Sequence, residues 1–294
     1  MGFAKGNVSV ESSRKLFIGV GAFKVHGVNL SKEELSDLYG REVENERQFV
    51  TDVDINGVSA KRARLNFTLS TMIDEKPQFI TATYNLTSVP RMGSTSGKYQ
   101  IIDEYGRTAW ATQQEVDAHA IPTYSSGAAS ISNNYRKAYV GEEFLTEFLK
   151  AHQVIPNVMR FKDGKPVGLI ENPADAEARL EHIDSYFAGD FSEINSIIKS
   201  MPENKVKLLC GVRTDDQNRK WQDVFINFPM RLSTYSYAKL LDALNEAKTN
   251  GAFANTEFLV NGGICDIMEY VENPTVIKPQ ANAATPANPW FQAK

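Results

Sequence analysis

The sequence predicts an α+β protein built on an antiparallel β-barrel-like core, with a helical segment and further strands added to it. Three observations lead there. Two stretches, Arg62–Thr87 and Lys205–Leu232, read as β-hairpins whose apolar residues alternate with polar ones. Between them, from Gly141 onward, apolar residues recur at helical spacing instead. The outer faces of the two hairpins carry basic and aromatic side chains together, a surface better suited to a stacked ring and an anion than to bulk water.

Taken in order, residues 1–13 are small and polar and read as a flexible arm. The run LFIGVGAFKVHGV from Leu16 to Val28 starts apolar on both faces, as a central strand does. Within it, Gly19 and Gly21 share a face with Phe17 and Phe23 and mark a bend or a close backbone approach. Ser31 opens a short helix, Glu34 completes a capping box, and Leu35 and Leu38 turn inward. The strand at 62–70 sets Leu65, Phe67 and Leu69 on one face and Arg62, Arg64, Asn66 and Thr68 on the other. Its partner at 79–87 turns Ile80, Ala82, Tyr84 and Leu86 inward and Phe79, Thr81, Thr83 and Asn85 outward. RMGSTSGK (91–98) is a flexible turn before a strand near Tyr99–Ile102. A long first strand, further strands and modest helices fit a small Greek-key barrel such as an OB-fold.

In the helical part, Phe144, Leu145, Phe148 and Leu149 form one stripe. Pro173 starts a second helix with Ala176, Leu180, Ile183 and Phe187, and Asp190 and Glu193 cap a third carrying Phe191, Ile194, Ile197 and Ile198. Such stripes are core. Strands then return, with Val206, Leu208, Cys210 and Val212 inward, a turn TDDQNRK, and Val224, Ile226 and Phe228 opposite. A helix through Leu240, Leu241 and Leu244 and a last strand near Glu257–Ile267 close the folded part. The expected units are an arm (1–13), an OB-like β-rich unit (14–140), a helical segment with strands packing on it (141–271) and a disordered tail (272–294).

Composition narrows the class. At 294 residues, 42% hydrophobic and 23% charged, the chain is not globally disordered. A net charge of −4 excludes a generally basic nucleic-acid packager but not a local basic groove. Residues 59–112 hold seven basic side chains (Lys61, Arg62, Arg64, Lys76, Arg91, Lys98, Arg107) and four acidic ones (Asp74, Glu75, Asp103, Glu104), seven minus four leaving +3 against −7 elsewhere. The two cysteines, Cys210 and Cys265, lie in apolar strand contexts and read as buried free thiols of a reducing compartment. No signal-peptide core and no apolar run of about 18 residues is present, so a cytosolic protein with no membrane partner is expected.

Enzyme signatures fail one by one. GSTSGK falls one residue short of a P-loop between Gly93 and Gly97, and Tyr99 stands where a magnesium-binding hydroxyl is needed. The glycines from Gly19 lie inside a strand and lack the third member of a dinucleotide fingerprint. His26, His119, His152 and His182 are scattered singly, without metal-ligand spacing, and Asp215-Asp216 reads as a solvated turn. Neither a catalytic residue nor a metal or other cofactor is expected.

Binding fits better. Lys61, Arg62, Arg64, Arg91, Lys98 and Arg107 are the expected phosphate contacts, and Phe79, Tyr99, Trp110, Trp221 and Phe225 the expected stacking rings. On the second hairpin, Lys205, Lys207 and Arg213 accompany Trp221 and Phe225, with packing of the 141–199 helices over those rings as the competing reading. Trp110 with Tyr124, Tyr135, Arg136, Lys137 and Tyr139 in a Gly/Ser-rich stretch suits a clamp, or equally a structural loop.

Longer stretches carry a resemblance. LFIGVGAFKVHGVNLSKEELSDLYGREV, IIDEYGRTAWAT with HAIPTYSSGAASIS and YRKAYVGEEFL, and NKVKLLCGVRTDDQNRKWQDVF with NGAFANTEF resemble a protein of crAss-like tailed bacteriophages, across most of residues 14–270. The resemblance implies a single-stranded DNA-binding protein with an OB-like core that protects unwound phage DNA in the host cytoplasm. It departs at the end of the chain. Replicative binders of this kind end in an acidic tail with an aromatic tip that docks replication proteins, whereas Pro289-Trp290-Phe291 lacks acidic neighbours and Lys294 follows. Docking through Trp290 and Phe291 is the expectation drawn from that tip. The rival expectation is a phage structural or virion-packaged protein, whose outward aromatics form subunit contacts; self-association is compatible with both.

Overall fold

The chain opens on one long strand, β1 (Ser13–Val28), which changes partner twice along its length. A computed structural model describes residues 13–43, 48–73, 75–103, 107–121, 131, 133–152, 159–162, 165–169, 183–203, 205–231, 237–258 and 269–274. Ser13–Ile18 pairs with β14 (Glu269–Pro274), Gly19–Lys24 with β11 (Lys205–Thr214), and Lys24–Val28 with β3 (Val58–Ile73). Gly19, with φ of 120° in the region that favours glycine, occupies the first hand-over. The second contains a bulge: Val25 faces Leu69 and Gly27 faces Thr68, so His26 is the extra residue.

β3 runs antiparallel to β4 (Lys76–Pro90) from Arg62↔Thr87 to Ile73↔Lys76, and its first part also pairs with β2 (Val50–Ile55). β4 continues to β8 (Tyr139–Val140), and β11 pairs with β12 (Lys220–Arg231) and β13 (Thr256–Phe258). Among the described residues these make one nine-stranded antiparallel sheet in the order β12-β11-β1-β3-β4-β8. It curls into a half-barrel until β4 meets β12, where the Tyr84 hydroxyl donates to the Ile226 carbonyl at 3.2 Å. The fold is therefore mixed α+β, dominated by antiparallel strands.

The remaining segments lie between β4 and β11 or follow β12. β5 (Tyr99–Asp103), β6 (Thr108–Ala111) and β7 (Tyr135–Lys137) form a small sheet beside the short α2 (Gln113–Asp117). β9 (Met159–Lys162) and β10 (Lys165–Leu169) form a separate hairpin. α3 (Glu142–Ala151), α4 (183–187) and α5 (Ser192–Lys199) supply the helices that fill the half-barrel.

Alternation explains the core. Phe23, Val25, Leu65, Phe67, Leu69, Ala82, Tyr84, Leu86, Val206, Leu208 and Cys210 line the inner face and are buried, as their spacing predicts. Against them pack Leu145, Phe148 and Leu149 of α3, Ile183 and Phe187 of α4, and Ile194 and Ile198 of α5. The Phe148 ring lies 4.4 Å from Phe67 and 5.1 Å from Tyr84. Each such side chain contributes about 1.5–3 kcal/mol on leaving water. Asn195 of α5 clips the helix to the sheet, accepting from Val28 N at 2.7 Å and donating to Val28 O at 2.9 Å.

α1 (Lys32–Tyr39) starts at the expected capping box, with Glu34 N donating to Ser31 Oγ and Ser31 N to a Glu34 carboxylate oxygen. Leu35 and Leu38 are only half-buried, so this helix adds little to the core. α6 (Tyr237–Thr249) lies instead on the outer face of β11–β12, where Leu244 joins Val20, Leu209 and Phe225 in a second cluster.

Strands from the two expected units, 14–140 and 141–271, lie side by side in the same sheet, with β1 hydrogen-bonded to both β3 and β11. Both edges of β1 take partners distant in sequence, which local patterning does not reveal. The arm before residue 13, Pro173, Ala176, Leu180, His182, Cys265 and the tail beyond residue 274 lie outside the described residues, as does 259–267 of the last expected strand.

Candidate nucleic-acid interface

The outer face of β3–β4 is built by register. Arg62 stands opposite Thr87, Arg64 opposite Asn85, Asn66 opposite Thr83, Thr68 opposite Thr81 and Ser70 opposite Phe79. Arg62, Arg64, Thr81 and Asn85 are exposed. Asn66 organises the middle, accepting from Arg64 Nε at 3.2 Å and from Thr83 Oγ1 at 2.9 Å. Asn29, in the left-handed region at φ 48°, reaches across from the end of β1; its side chain donates to Arg64 O and accepts from Asn66 N. Arg64 thus leans on an uncharged partner and keeps its charge unneutralised. Lys61 shares the parity of Ala63 and Leu65, so the pleat sends it to the opposite side from Arg62 and Arg64.

Neighbouring strands extend the same face. Lys24 of β1 stands opposite Ser70 of β3 on one side and Lys205 of β11 on the other. Among the described residues, no carboxylate pairs with Lys24, Lys61, Arg62, Arg64 or Lys205. Phe79 is half-buried, edge-on to Tyr39 from the end of α1 at 4.8 Å and 5.9 Å from the His26 ring. His26 Nε2 lies 2.7 Å from Ser70 Oγ. Burial first, and then the charge of Lys24, hold the imidazole below its ordinary pKa.

Arg91, Lys98, Tyr99, Arg107 and Trp110 cluster elsewhere, on and beside the β5–β6–β7 sheet. Arg107 is spent on the fully buried Asp103 carboxylate at 2.6 Å, and Arg91 is bound by Glu143. Both guanidiniums, expected as phosphate contacts, already have a carboxylate partner, and Glu143 is remote from Arg91 in sequence. Arg91 also lies over the rings of Trp110 at 5.6 Å and Phe144 at 5.7 Å. Tyr99 pairs with Ala111 and Trp110 with Gln100, so the two rings leave opposite faces of the small sheet and cannot form one stacking platform. Lys137 Nζ stands 3.9 Å over Tyr99. The expected 121–139 clamp is in part structural: Arg136 forks onto the buried Glu142 at 2.6 and 2.8 Å, while Tyr124 lies outside the described residues.

The second hairpin splits its two candidates. Trp221 is 37% exposed at the base of the β11–β12 turn, with Arg219 5.5 Å over its ring. Its indole Nε1 donates to Asp215 at 3.0 Å, and Asp215 also accepts from the backbones of Gln217 and Arg219 and from the Arg219 guanidinium. The indole bond, followed by the others, keeps this carboxyl well below the usual range. Phe225 is a correction. It is 1% exposed, beneath Leu244 of α6 and edge-on to Phe253 at 5.4 Å, so it cannot stack on a base. A helix does cover the ring, but from 237–249 rather than from 141–199. Lys207 is also buried, and Arg213 pairs with Asp223 at 3.2 Å.

The described residues contain no cluster of three or more His, Cys, Asp or Glu able to hold a metal. Cys210 is wholly buried, and burial pushes its thiol pKa up. A cleft of about 370 Å³ near the β11–β12 turn is lined by Asp215, Asp216 and Glu257 among others, an acidic wall unsuited to a polyanion. No described helix is long and apolar enough to cross a membrane. Trp290 and Phe291 lie outside the described residues.

Sequence reasoning missed Lys24, His26, Tyr39 and Lys205 as companions of Phe79. Lys24 and His26 were legible as the polar alternates of Phe23 and Val25; Tyr39 was not, because its approach depends on where α1 turns. Comparison of the chain with protein-family models, curated proteins and solved structures gives no match.

Proposed function

We propose that the chain binds single-stranded DNA, without strong sequence preference, on the outer face of β1–β3–β4 and the adjoining turns. The observation that carries this is the run of cations with no carboxylate partner among the described residues, Lys24, Arg62, Arg64 and Lys205, on the face that holds Phe79. Arg and Lys meet phosphates and a half-exposed ring takes a base, with stacking contributing about 1–3 kcal/mol per base.

Topology supports an OB-like reading. Numbering only the principal strands β1, β3, β4, β11 and β12 as first to fifth, the order is fifth-fourth-first-second-third. Third and fifth approach through Tyr84 and Ile226, and α3 to α5 lie between third and fourth. This order is consistent with a partly open five-stranded barrel of the OB type, in which the second and third strands and the first-second and fourth-fifth loops take oligonucleotides. Here the first-second loop carries α1 with Tyr39, whereas the fourth-fifth turn sets Trp221 beside the acidic Asp215 and Asp216, so the first-second side is the one that suits a polyanion.

The resemblance in residues 14–270 extends the proposal to protection of unwound phage DNA in the host cytoplasm, with replication proteins docking on Trp290 and Phe291. Deletion of 272–294 with unchanged pull-down of partners rejects the docking role. For the DNA itself, labelled oligo-dT should bind at low salt, quench tryptophan emission and dissociate progressively as salt rises. Absence of binding at low salt, with the protein sedimenting as assemblies instead, would favour the structural-protein reading.

A further inference from the structure

His26 occupies a particular place on this face. As the extra residue of the β1 bulge it has no register partner of its own on β3, and its ring lies against both Ser70 and Phe79. Nε2 is engaged by the Ser70 hydroxyl, while Nδ1 has no hydrogen-bond partner among the described residues. The groups around it are one-sided. Lys24 comes from β1 and Lys205 stands beside Lys24 on β11; β3 offers the neutral Ser70 and Thr68, β4 the neutral Phe79, and α1 the phenol of Tyr39. Among the described residues, no carboxylate contributes to its titration.

We infer that binding of a phosphate-bearing strand at this face takes up a proton at His26, so that association is coupled to pH. The inference rests on the proposed DNA-binding function of the same surface. In the free protein a second positive charge beside Lys24 is unfavourable and the imidazole stays neutral near neutral pH. A phosphate oxygen brought to Lys24 reverses that balance. Protonated His26 then donates Nε2–H to Ser70 Oγ and Nδ1–H toward the anion, and the proton comes from solvent. By reciprocity, protonation of His26 tightens the strand by the factor by which the strand favours the protonated ring.

The test uses the full chain and oligo-dT, whose bases do not titrate in this range, between about pH 5 and 8. Affinity should fall as pH rises, by up to about tenfold for each unit by which binding raises the His26 pKa. Calorimetry in two buffers of different ionisation enthalpy should show net proton uptake. His26→Gln, which keeps a hydrogen bond to Ser70 without titrating, should bind with a flatter pH profile and less uptake. Should that variant fail to fold, the His26 ring resonances of the wild type, followed with and without oligo-dT, should titrate at higher pH in the complex. Binding with no proton uptake, or with equal pH dependence in His26→Gln, overturns the coupling and leaves the DNA-binding reading standing. Absence of oligo-dT binding at every pH overturns both.

Discussion

Tyr84 of β4 donates its hydroxyl to the main-chain carbonyl of Ile226 on β12, tying together two strands that share no ladder among the described residues. The ring is 1% exposed and packs edge-on against Phe67, so the bond is made in a dry environment. Tyr84→Phe keeps the packing and removes only the bond. It should cost about 1 kcal/mol, up to about 3 if the Ile226 carbonyl is left unsatisfied. Urea denaturation checks this, and oligo-dT affinity should not change.

Glu142, 2% exposed, holds Arg136 through two bonds and also accepts from Tyr139 N at 2.8 Å. It lies in the first turn of α3, where the helix dipole favours its charge. Glu142→Ala leaves a half-buried guanidinium uncompensated, and a loss of about 3–5 kcal/mol is expected. The same denaturant titration would measure it. A loss under about 1 kcal/mol would mean that the guanidinium finds water or another acceptor.

Gly141 precedes α3 at φ 90°, and a Cβ there would lie 2.0 Å from the Asn85 carbonyl oxygen. Backbone atoms cannot step aside as a flexible side chain does. Gly141→Ala should cost about 1–3 kcal/mol in backbone strain alone, with the clash added. A thermal melt indistinguishable from wild type would refute this account of the β4–α3 junction.

The arginines divide into two kinds. Arg62 and Arg64 lack carboxylate partners among the described residues, whereas Arg107 is bound to the buried Asp103. Replacing both Arg62 and Arg64 by Ala should weaken oligo-dT binding and flatten its logarithmic salt dependence by about 1.4, at about 0.7 for each phosphate no longer neutralised. Arg107→Ala should instead lower stability and leave the salt slope alone. Exchange of these outcomes would move the interface to the small β5–β6–β7 sheet.

Asp215 sets a pH dependence of known sign. Its hydrogen bonds, that from Trp221 foremost, favour the ionised carboxyl in the folded chain and depress its pKa. The stabilisation is complete above the unfolded carboxylate value of about 3.9 and disappears as pH falls through the lower folded value. The Trp221 indole N–H resonance should therefore keep its folded position at about pH 4 and shift only in stronger acid. Asp215→Asn should displace it at neutral pH.

Much of the barrel was legible because a half-buried strand has a period of two. Leu65, Phe67 and Leu69 against Arg62 and Arg64, or Ile80, Ala82 and Tyr84 against Phe79 and Thr81, fell on the faces their alternation assigns. The Ser31–Glu34 box was legible because it closes within one turn. Phe225 was misjudged for the opposite reason. Its strand alternates correctly, but the face it enters is covered by α6, and alternation reports parity without reporting what lies above a face. The partner of Arg91 is hidden from the sequence for a similar reason, since Glu143 meets it only after β4 and α3 are brought together.

The amino-acid order by itself determined the strand faces, the helix stripes and the local basic surplus, because each follows from side-chain periodicity and charge within a few residues. Tertiary structure decided which of the described cations have a carboxylate partner, which rings stay uncovered, and that the His26 ring meets Phe79. Those outcomes depend on contacts between residues far apart in the chain, such as that of the His26 ring with Phe79.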